Sequence, residues 1–230
     1  MNYYLFDTGN SRSFPGAHAL RDNAAPDLKA ADVTIVIGAR VGEHASSLPQ
    51  WRDKVAVLLE LGTECLGVYT GESRGEEGSN VLGFARFRLG DGEPSQLVEL
   101  VRQPRTSDAA IAAATRIFEG AGLQVAVCGD FAGRIIDRLV RPYYNAALRR
   151  LDEQLATADD LDTTLKLGLG YPEGPIALLE RTGLAHHFDV TQALFKAYGE
   201  PAYAPARRAQ VARAYPAHDE SAGAGGSGRT

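Results

Sequence analysis

The chain has 230 residues, of which 44% are hydrophobic and 23% are charged. This composition is ordinary for a globular protein that buries one large core or two smaller ones. Its formal net charge of −5 argues against nucleic-acid binding, which requires a basic surface. The apolar runs, such as Val33–Ile37, are too short to span a membrane.

The first residues lack the basic start and apolar run of a secretion signal, so we expect a cytoplasmic protein. Its two cysteines, Cys65 and Cys128, have no metal-ligand spacing and form no disulfide framework. We interpret both as small core residues in a reducing compartment. No metal site is assigned.

Residues 1–129 alternate between short apolar runs and segments with helical periodicity. Ser107 is the predicted N-cap of a helix that extends to Gly120. Near-continuous apolar strands separated by helices indicate a parallel sheet that is covered on both faces. The predicted strands are Tyr3–Phe6, Val33–Ile37, Val55–Leu59, Val81–Phe87 and Gln124–Cys128.

Residues 130–218 have helical spacing and no strand pattern, so the fold class is α/β followed by all-α. A long helix should follow Asp130, with a kink at Pro142 or a boundary at Arg141. Residues 219–230 are rich in glycine and are expected to form a flexible tail. Further helices are predicted at about Ala158–Leu167, Ile176–Arg181 and Thr182–Tyr198.

Two segments resemble a known family. Ala158–Glu180 contains Gly-Leu-Gly-Tyr-Pro-Glu-Gly-Pro, and Asp130–Ala147 begins with Asp-Phe-Ala-Gly and ends with Asn-Ala-Ala. Both are similar to the C-terminal domain of the 3-hydroxyacyl-CoA dehydrogenases, where the patterns are Gly-x-Gly-x-Pro-x-Gly-Pro and Asp-x-x-Gly-Phe-x-x-Asn-Arg followed by Asn-Glu-Ala. We interpret the Gly/Pro cluster itself as a corner between helices, without a chemical role. The resemblance implies NAD chemistry on acyl-CoA and dimerisation through the helical domain.

A complete member begins with a strand, Gly-x-Gly-x-x-Gly and a helix, which together bind the dinucleotide. Leu28–Ile37 resembles the family's fourth strand, and residues 1–27 are too few for two complete strand-helix units. A rival alignment takes Ile37–Gly42 as the glycine motif and Glu60 as the ribose carboxylate, but Arg40 stands where the central glycine belongs. We expect a truncated Rossmann-like sheet, and no cofactor-binding residue is assigned.

The resemblance also implies positions for the catalytic groups. Ala85 stands where the family has its catalytic histidine, and alanine cannot accept a proton. Glu99 matches the glutamate that orients that histidine, and Asn145 matches the asparagine whose amide meets the substrate oxygen. Thr63 is a weaker match to the substrate-binding serine. Glu99 and Asn145 are therefore the candidate catalytic residues.

None of the five histidines falls on the strand of Ala85. His44 follows a predicted strand end, where ligands gather in open sheets, but a catalytic role for it is disfavoured. His186 and His187 lie near a helix start and are expected at the surface or in an interface.

These losses favour a degenerate family member of fatty-acid or acyl-CoA metabolism. We expect it to bind acyl-CoA, or to pair through its helical domain as a homodimer or with a full-length dehydrogenase. One alternative is an active NAD-dependent 3-hydroxyacyl-CoA dehydrogenase with a shortened cofactor domain. Another is an assembly subunit without a ligand.

Overall fold

The computed structural model describes residues 1–71 and 79–215, and they form one six-stranded sheet followed by helices. The expected α/β and all-α halves are confirmed. The predicted tail, residues 219–230, lies outside the described residues, and the domain boundary at residue 130 stays a prediction. The strands are β1 Tyr3–Asp7, β2 Val33–Ile37, β3 Ala56–Glu60, β4 Val81–Arg86, β5 Leu97–Arg102 and β6 Gln124–Gly129.

Helices follow and connect these strands. A 3-10 helix, Val41–Trp51, joins β2 to β3, and a second one spans Pro201–Tyr203. None of the described helices is long and apolar enough to cross a membrane. The α-helices are α1 Ala19–Asp22, α2 Gly67–Thr70, α3 Asp108–Gly120, α4 Ile136–Asp152, α5 Ala158–Leu169, α6 Pro175–Thr182, α7 Leu184–Tyr198 and α8 Arg207–Ala214.

The strands lie in the sheet in the same order as in the chain, from β1 to β6. All neighbouring pairs are parallel except β4 and β5, which are antiparallel. In that pair Ala85 lies directly opposite Glu99. The described strands contain no point at which the strand order reverses, and such a reversal forms the dinucleotide crevice of doubly wound sheets.

Apolar clusters cover the central strands on both faces. On one face α3 packs Ala114 and Phe118 against Leu58 and Phe84. On the other face Trp51 of the 3-10 helix packs against strands β2 and β3. Every residue of β2 and β3 is buried, which explains why their sequences are almost continuously apolar. Ser107 caps α3 as predicted, since its side chain accepts from Ala110 N.

Helix α4 continues through Pro142, so the predicted boundary at Arg141 is wrong. Proline has no N–H and cannot donate to the carbonyl four residues earlier, which belongs to Arg138. The buried hydroxyl of Tyr203 donates to that carbonyl at 3.3 Å. The tertiary contact thus satisfies the acceptor that the proline leaves open, and the helix persists.

The glycine and proline cluster forms a corner between α5 and α6. Gly170 ends α5 in the left-handed conformation, and Pro175 occupies the first turn of α6. The Asp162 carboxylate accepts from Ile176 N and Ala177 N, both at 2.9 Å. A Cβ at Gly174 would lie 2.1 Å from the Asp162 carboxyl carbon, so glycine permits this approach. The contacts are those of a helix cap, as the sequence predicted.

We predict that Tyr203→Phe lowers the free energy of unfolding by about 1 kcal/mol, because the Arg138 carbonyl loses its donor. In a Pro142→Ala background residue 142 regains an N–H for the same carbonyl, so the Tyr203→Phe cost should fall by at least half. Urea unfolding of the four proteins measures this coupling. Equal costs in both backgrounds would show that the hydroxyl does not compensate for the proline.

Candidate active-site cleft

A cleft of about 220 Å³ lies between the carboxyl ends of β3 and β4 and the start of the helical half. Its volume is below the ~300–1,000 Å³ of sites for drug-sized ligands, so it suits a small group. The predicted residues Glu99 and Thr63 line it, and so does Ala85. Ionisable side chains that also line it are Arg12, Arg86, Arg88, Arg134, Arg141, Asp137, His186 and Asp189.

Glu99 is 2% exposed and joins the sheet to the helical half. Its Oε1 accepts from the backbone N–H groups of Ile135 and Ile136, both at 2.8 Å. These groups begin helix α4 and have no partner within the helix. Burial raises the pKa of Glu99 above its usual value, although the two N–H groups and the Arg134 charge oppose that rise. Glu99 therefore serves first as the carboxylate that binds the end of α4.

Arg134 supplies the positive charge nearest to Glu99. Its Nε lies 3.7 Å from Glu99 Oε2, and its Nη2 donates to the Gly62 carbonyl at 2.6 Å. Its backbone has φ of +49°, a left-handed conformation that side chains other than glycine rarely adopt. A second contact with the same loop, from Gly133 N to the Thr63 carbonyl at 2.9 Å, holds this turn in place.

The predicted residue Asn145 is fully buried but does not line the cleft. Its Nδ2 donates to the Ala202 carbonyl at 3.1 Å, and its Oδ1 faces His187 Nε2 at 3.0 Å. His187 Nδ1 lies 3.1 Å from Arg141 Nη1. Arginine can only donate, so His187 is neutral, with its proton on Nε2 directed at Asn145. The Asn145 amide is therefore linked to the cleft only through a chain of side chains, those of His187 and Arg141.

Arg141 completes that chain by donating from Nε to Asp137 Oδ1 at 2.7 Å. Asp137 lines the cleft, so the polar chain extends from the cleft wall into the helical core. The structure thus places Glu99 at the cleft and Asn145 behind it.

The expectation that His187 lies at the surface or in an interface is wrong, because it is 1% exposed within the chain. Burial, followed by the Arg141 charge, lowers its pKa to about 3. His186 lines the cleft and accepts from Gly90 N through Nδ1 at 3.3 Å. Burial and the charge of Arg12 lower the pKa of His186 to about 3 as well. Both imidazoles are neutral at physiological pH and are weak bases.

Cys128 packs against the core cluster on one face of the sheet, as expected of a small core residue. Both cysteines are free and half-buried. Burial raises the pKa of Cys128 to about 11, so its thiol stays protonated and unreactive.

The edge where β1, β2 and β3 end is where the rival glycine motif would hold a pyrophosphate. The Gly38 N–H donates instead to Glu60 Oε2 at 2.7 Å, and Glu60 Oε1 accepts from Ser13 N at 2.7 Å. The Arg40 side chain donates to the Thr8 carbonyl. Glu60, Glu64 and Arg12 line the cavity at this edge, and the two carboxylates outnumber the one guanidinium, which disfavours a phosphate there. The residues present do not fit the diphosphate of NAD.

Gly38 is required at this edge for packing. Its φ is +109°, and a Cβ there would lie 2.4 Å from both the Gly9 carbonyl oxygen and Thr8 Oγ1. The glycine therefore allows the loop after β1 to lie against the loop after β2, a role that explains its presence without a nucleotide.

Comparison with known proteins identifies the helical half. The sequence profile of the family described as "3-hydroxyacyl-CoA dehydrogenase, C-terminal domain" matches residues 133–226. Through this region the chain is similar to the 3-hydroxyacyl-CoA dehydrogenases, and the matched residues make up less than half of its length. A 3-hydroxybutyryl-CoA dehydrogenase of Mycobacterium tuberculosis is 37% identical over 111 residues, which cover 47% of this chain and 38% of the relative. The human mitochondrial hydroxyacyl-coenzyme A dehydrogenase is 37% identical over 89 residues, covering 39% and 28%.

Solved members of the 3-hydroxyacyl-CoA dehydrogenase family share the architecture of both halves. The 3-hydroxybutyryl-CoA dehydrogenase of Escherichia coli superposes with a TM-score of 0.68 at 25% identity, over 87% of this chain and 41% of that chain. For FadB2 of Mycobacterium tuberculosis, the TM-score is 0.65 at 24% identity, with 85% and 68% covered. The chain spans well under half the length of the two sequence relatives described above.

Sequence reasoning missed Arg134 and Asp137, although both line the cleft. A signal was present, because they stand where the family pattern Gly-Phe-x-x-Asn-Arg has its phenylalanine and its first asparagine. Their departure from the pattern places two charged side chains in the wall of this cleft. Sequence reasoning also missed His186 as a cleft residue, because nothing in the sequence near Leu184 indicates that the first turn of α7 faces the sheet.

We predict that His187 makes the protein less stable in mild acid. Its folded pKa is lowered to about 3, so between that value and its ordinary pKa only the unfolded chain binds the proton. The free energy of unfolding should therefore fall as the pH falls, by about 2 kcal/mol between pH 7 and pH 5 from this residue.

The matched variant is His187→Gln, which can accept from Arg141 and donate to Asn145 but does not titrate. Urea unfolding at both pH values should show a decline smaller by about 2 kcal/mol in the variant. Parallel declines in the two proteins would contradict a neutral, buried His187.

Proposed function

We propose that this 3-hydroxyacyl-CoA dehydrogenase-like protein binds an acyl-CoA in the cleft and lacks the dehydrogenase reaction. The observation that supports this most is the pairing of Ala85 with Glu99. Glu99 matches the glutamate of the family's catalytic dyad, and the side chain opposite it is a methyl group. Alanine at that position cannot accept a proton. Loss of a general base lowers the rate of a reaction by about 10²–10⁴.

His186 is the histidine that lines the cleft in the described part of the chain. With a pKa of about 3 it is poorly matched to removing a hydroxyl proton near neutral pH. The Glu60 and Glu64 carboxylates at the nucleotide edge further support a protein that does not use NAD. Its two free cysteines favour a reducing compartment, and we propose the cytoplasm.

The alternative is an active NAD-dependent 3-hydroxyacyl-CoA dehydrogenase with a shortened cofactor domain. The observation that favours it is the name of the relatives, which are 3-hydroxybutyryl-CoA and hydroxyacyl-CoA dehydrogenases. The two candidates differ in whether NADH binds.

We expect calorimetric titration of the purified chain with acetoacetyl-CoA to show saturable binding, and titration with NADH to show none. With both present at high protein concentration, absorbance of the reduced nicotinamide should decline no faster than in a protein-free blank. A complete dehydrogenase assayed in parallel is the positive control. Measurable NADH consumption that scales with protein concentration would establish the alternative.

We also propose that the helical half pairs with a second copy or with a full-length dehydrogenase. Helix α5 has no buried residue within this chain. Leu167 and Leu169 on α5 are 83% and 65% exposed, and Tyr171 just after it is 42% exposed. Several exposed large apolar side chains in one short segment are a feature that a protein interface would cover.

We predict that Leu167→Glu combined with Leu169→Glu weakens self-association by about a hundredfold or more, because two carboxylates would be desolvated in the interface. The fold should persist, since neither side chain is buried in the chain. Sedimentation velocity measures the association, and the control is Val68→Glu, a 61% exposed apolar position in the sheet half. A wild-type chain that remains monomeric and does not bind a full-length dehydrogenase would refute the pairing.

A further inference from the structure

The cleft is positively charged in a protein whose net charge is −5. Arg12 donates to the carbonyls of Arg88 and Gly90, and Arg88 donates to those of Asp91 and Gly92. Backbone carbonyls orient these guanidinium groups but do not neutralise them. Their positive charges therefore remain to act on whatever enters the cleft.

Arg86 adds a third charge of the same kind. Its guanidinium donates only to carbonyls in the described contacts, those of Ser13, Pro94 and Ser95. The carboxylates of the cleft are used elsewhere: Glu99 faces Arg134, Asp137 accepts from Arg141, and Asp189 accepts from Arg213. The cleft charges that form no ion pair with another described residue, those of Arg12, Arg86 and Arg88, are therefore all positive.

Arg134 supplies directed donors. Its side chain is 5% exposed, and its Nη1 and Nε have no hydrogen-bond partner among the described residues. A buried N–H group without an acceptor costs free energy, and for a charged group the cost is larger. The guanidinium lines the cleft, so an acceptor placed there would satisfy it. Nε and Nη1 lie on different edges of the guanidinium, so a single acceptor bonds to one of them, and a carboxylate forms the stronger, charge-assisted hydrogen bond there.

We propose that the cleft binds a carboxylate group, held by Arg134 and attracted by the surrounding arginines. A volume of about 220 Å³ suits a small organic acid or a short acyl chain that ends in a free carboxylate. This goes beyond the proposed acyl-CoA binding, which needs only an uncharged thioester. In this proposal, a site for a negative charge lies where the family has its proton acceptor.

The first test compares acetoacetate with acetoacetamide, its uncharged analogue of the same shape, by calorimetric titration of the wild-type chain. We expect acetoacetate to bind about tenfold tighter or more, since a charged acceptor strengthens each hydrogen bond. Glutaryl-CoA and butyryl-CoA form the second pair, and tighter binding of glutaryl-CoA would show that the carboxylate arrives on an acyl chain. Equal affinities within both pairs, or no binding of either carboxylate, would overturn the proposal.

The second test uses variants with opposite expected effects. Arg134→Gln should weaken carboxylate binding by about ten- to a hundredfold. Glu99→Gln keeps an oxygen for the N–H groups of Ile135 and Ile136 but removes the competing charge, so it should tighten binding by about fivefold. The control is Arg181→Gln, which removes an exposed arginine paired with Glu173 outside the cleft. If Arg134 and Glu99 had only a structural role, the two substitutions would not change carboxylate affinity in opposite directions.

Should Arg134→Gln fail to fold, the wild-type comparison and Glu99→Gln still decide the matter. Glu99→Gln that leaves carboxylate affinity unchanged or weaker would refute the role of Arg134. Acetoacetyl-CoA, titrated in the same series, separates the two ideas: its binding supports the acyl-CoA proposal even when neither carboxylate binds.

Discussion

The contact between the Glu99 carboxylate and the first N–H groups of helix α4 connects the two halves of this molecule. Glu99 lies on a central strand of the sheet, and Ile135 and Ile136 open the helical half. A buried carboxylate needs donors, and a helix start needs acceptors, so each satisfies the other. The walls of the cleft, with Ala85 on one side and Arg134 on the other, take their positions from this contact.

The cleft has an uncharged side chain opposite its buried carboxylate. The residue paired with Glu99 across the strands is Ala85, and the Nε atom of Arg134 lies 3.7 Å from Glu99 Oε2. An imidazole can gain or lose a proton near neutral pH, whereas a guanidinium keeps its charge. The same location is therefore suited to holding an anion and poorly suited to moving a proton.

The edge where β1, β2 and β3 end has its backbone donors bonded within the chain. Donors that would face a diphosphate are bonded within the chain, since Gly38 N and Ser13 N both donate to Glu60. With β1 beside β2 and no strand beyond it among the described residues, the sheet has no reversal of order at which a dinucleotide could lie.

The sequence by itself determined five of the six strands and the main helices, because apolar periodicity, the Ser107 cap and the Gly170–Pro175 corner are local effects of side chains and backbone. Strand β5 and the 3-10 helix Val41–Trp51 were not predicted. Through the family resemblance it named Glu99 and Asn145 as candidate catalytic residues, of which Glu99 lines the cleft and Asn145 does not. Only the tertiary structure decided that α4 continues past Pro142, where the Tyr203 hydroxyl replaces the missing donor. Tertiary packing likewise set His187 and Asn145 inside the helical core and turned Arg134 and His186 toward the cleft. These outcomes depend on contacts between residues far apart in the chain, and no local pattern encodes them.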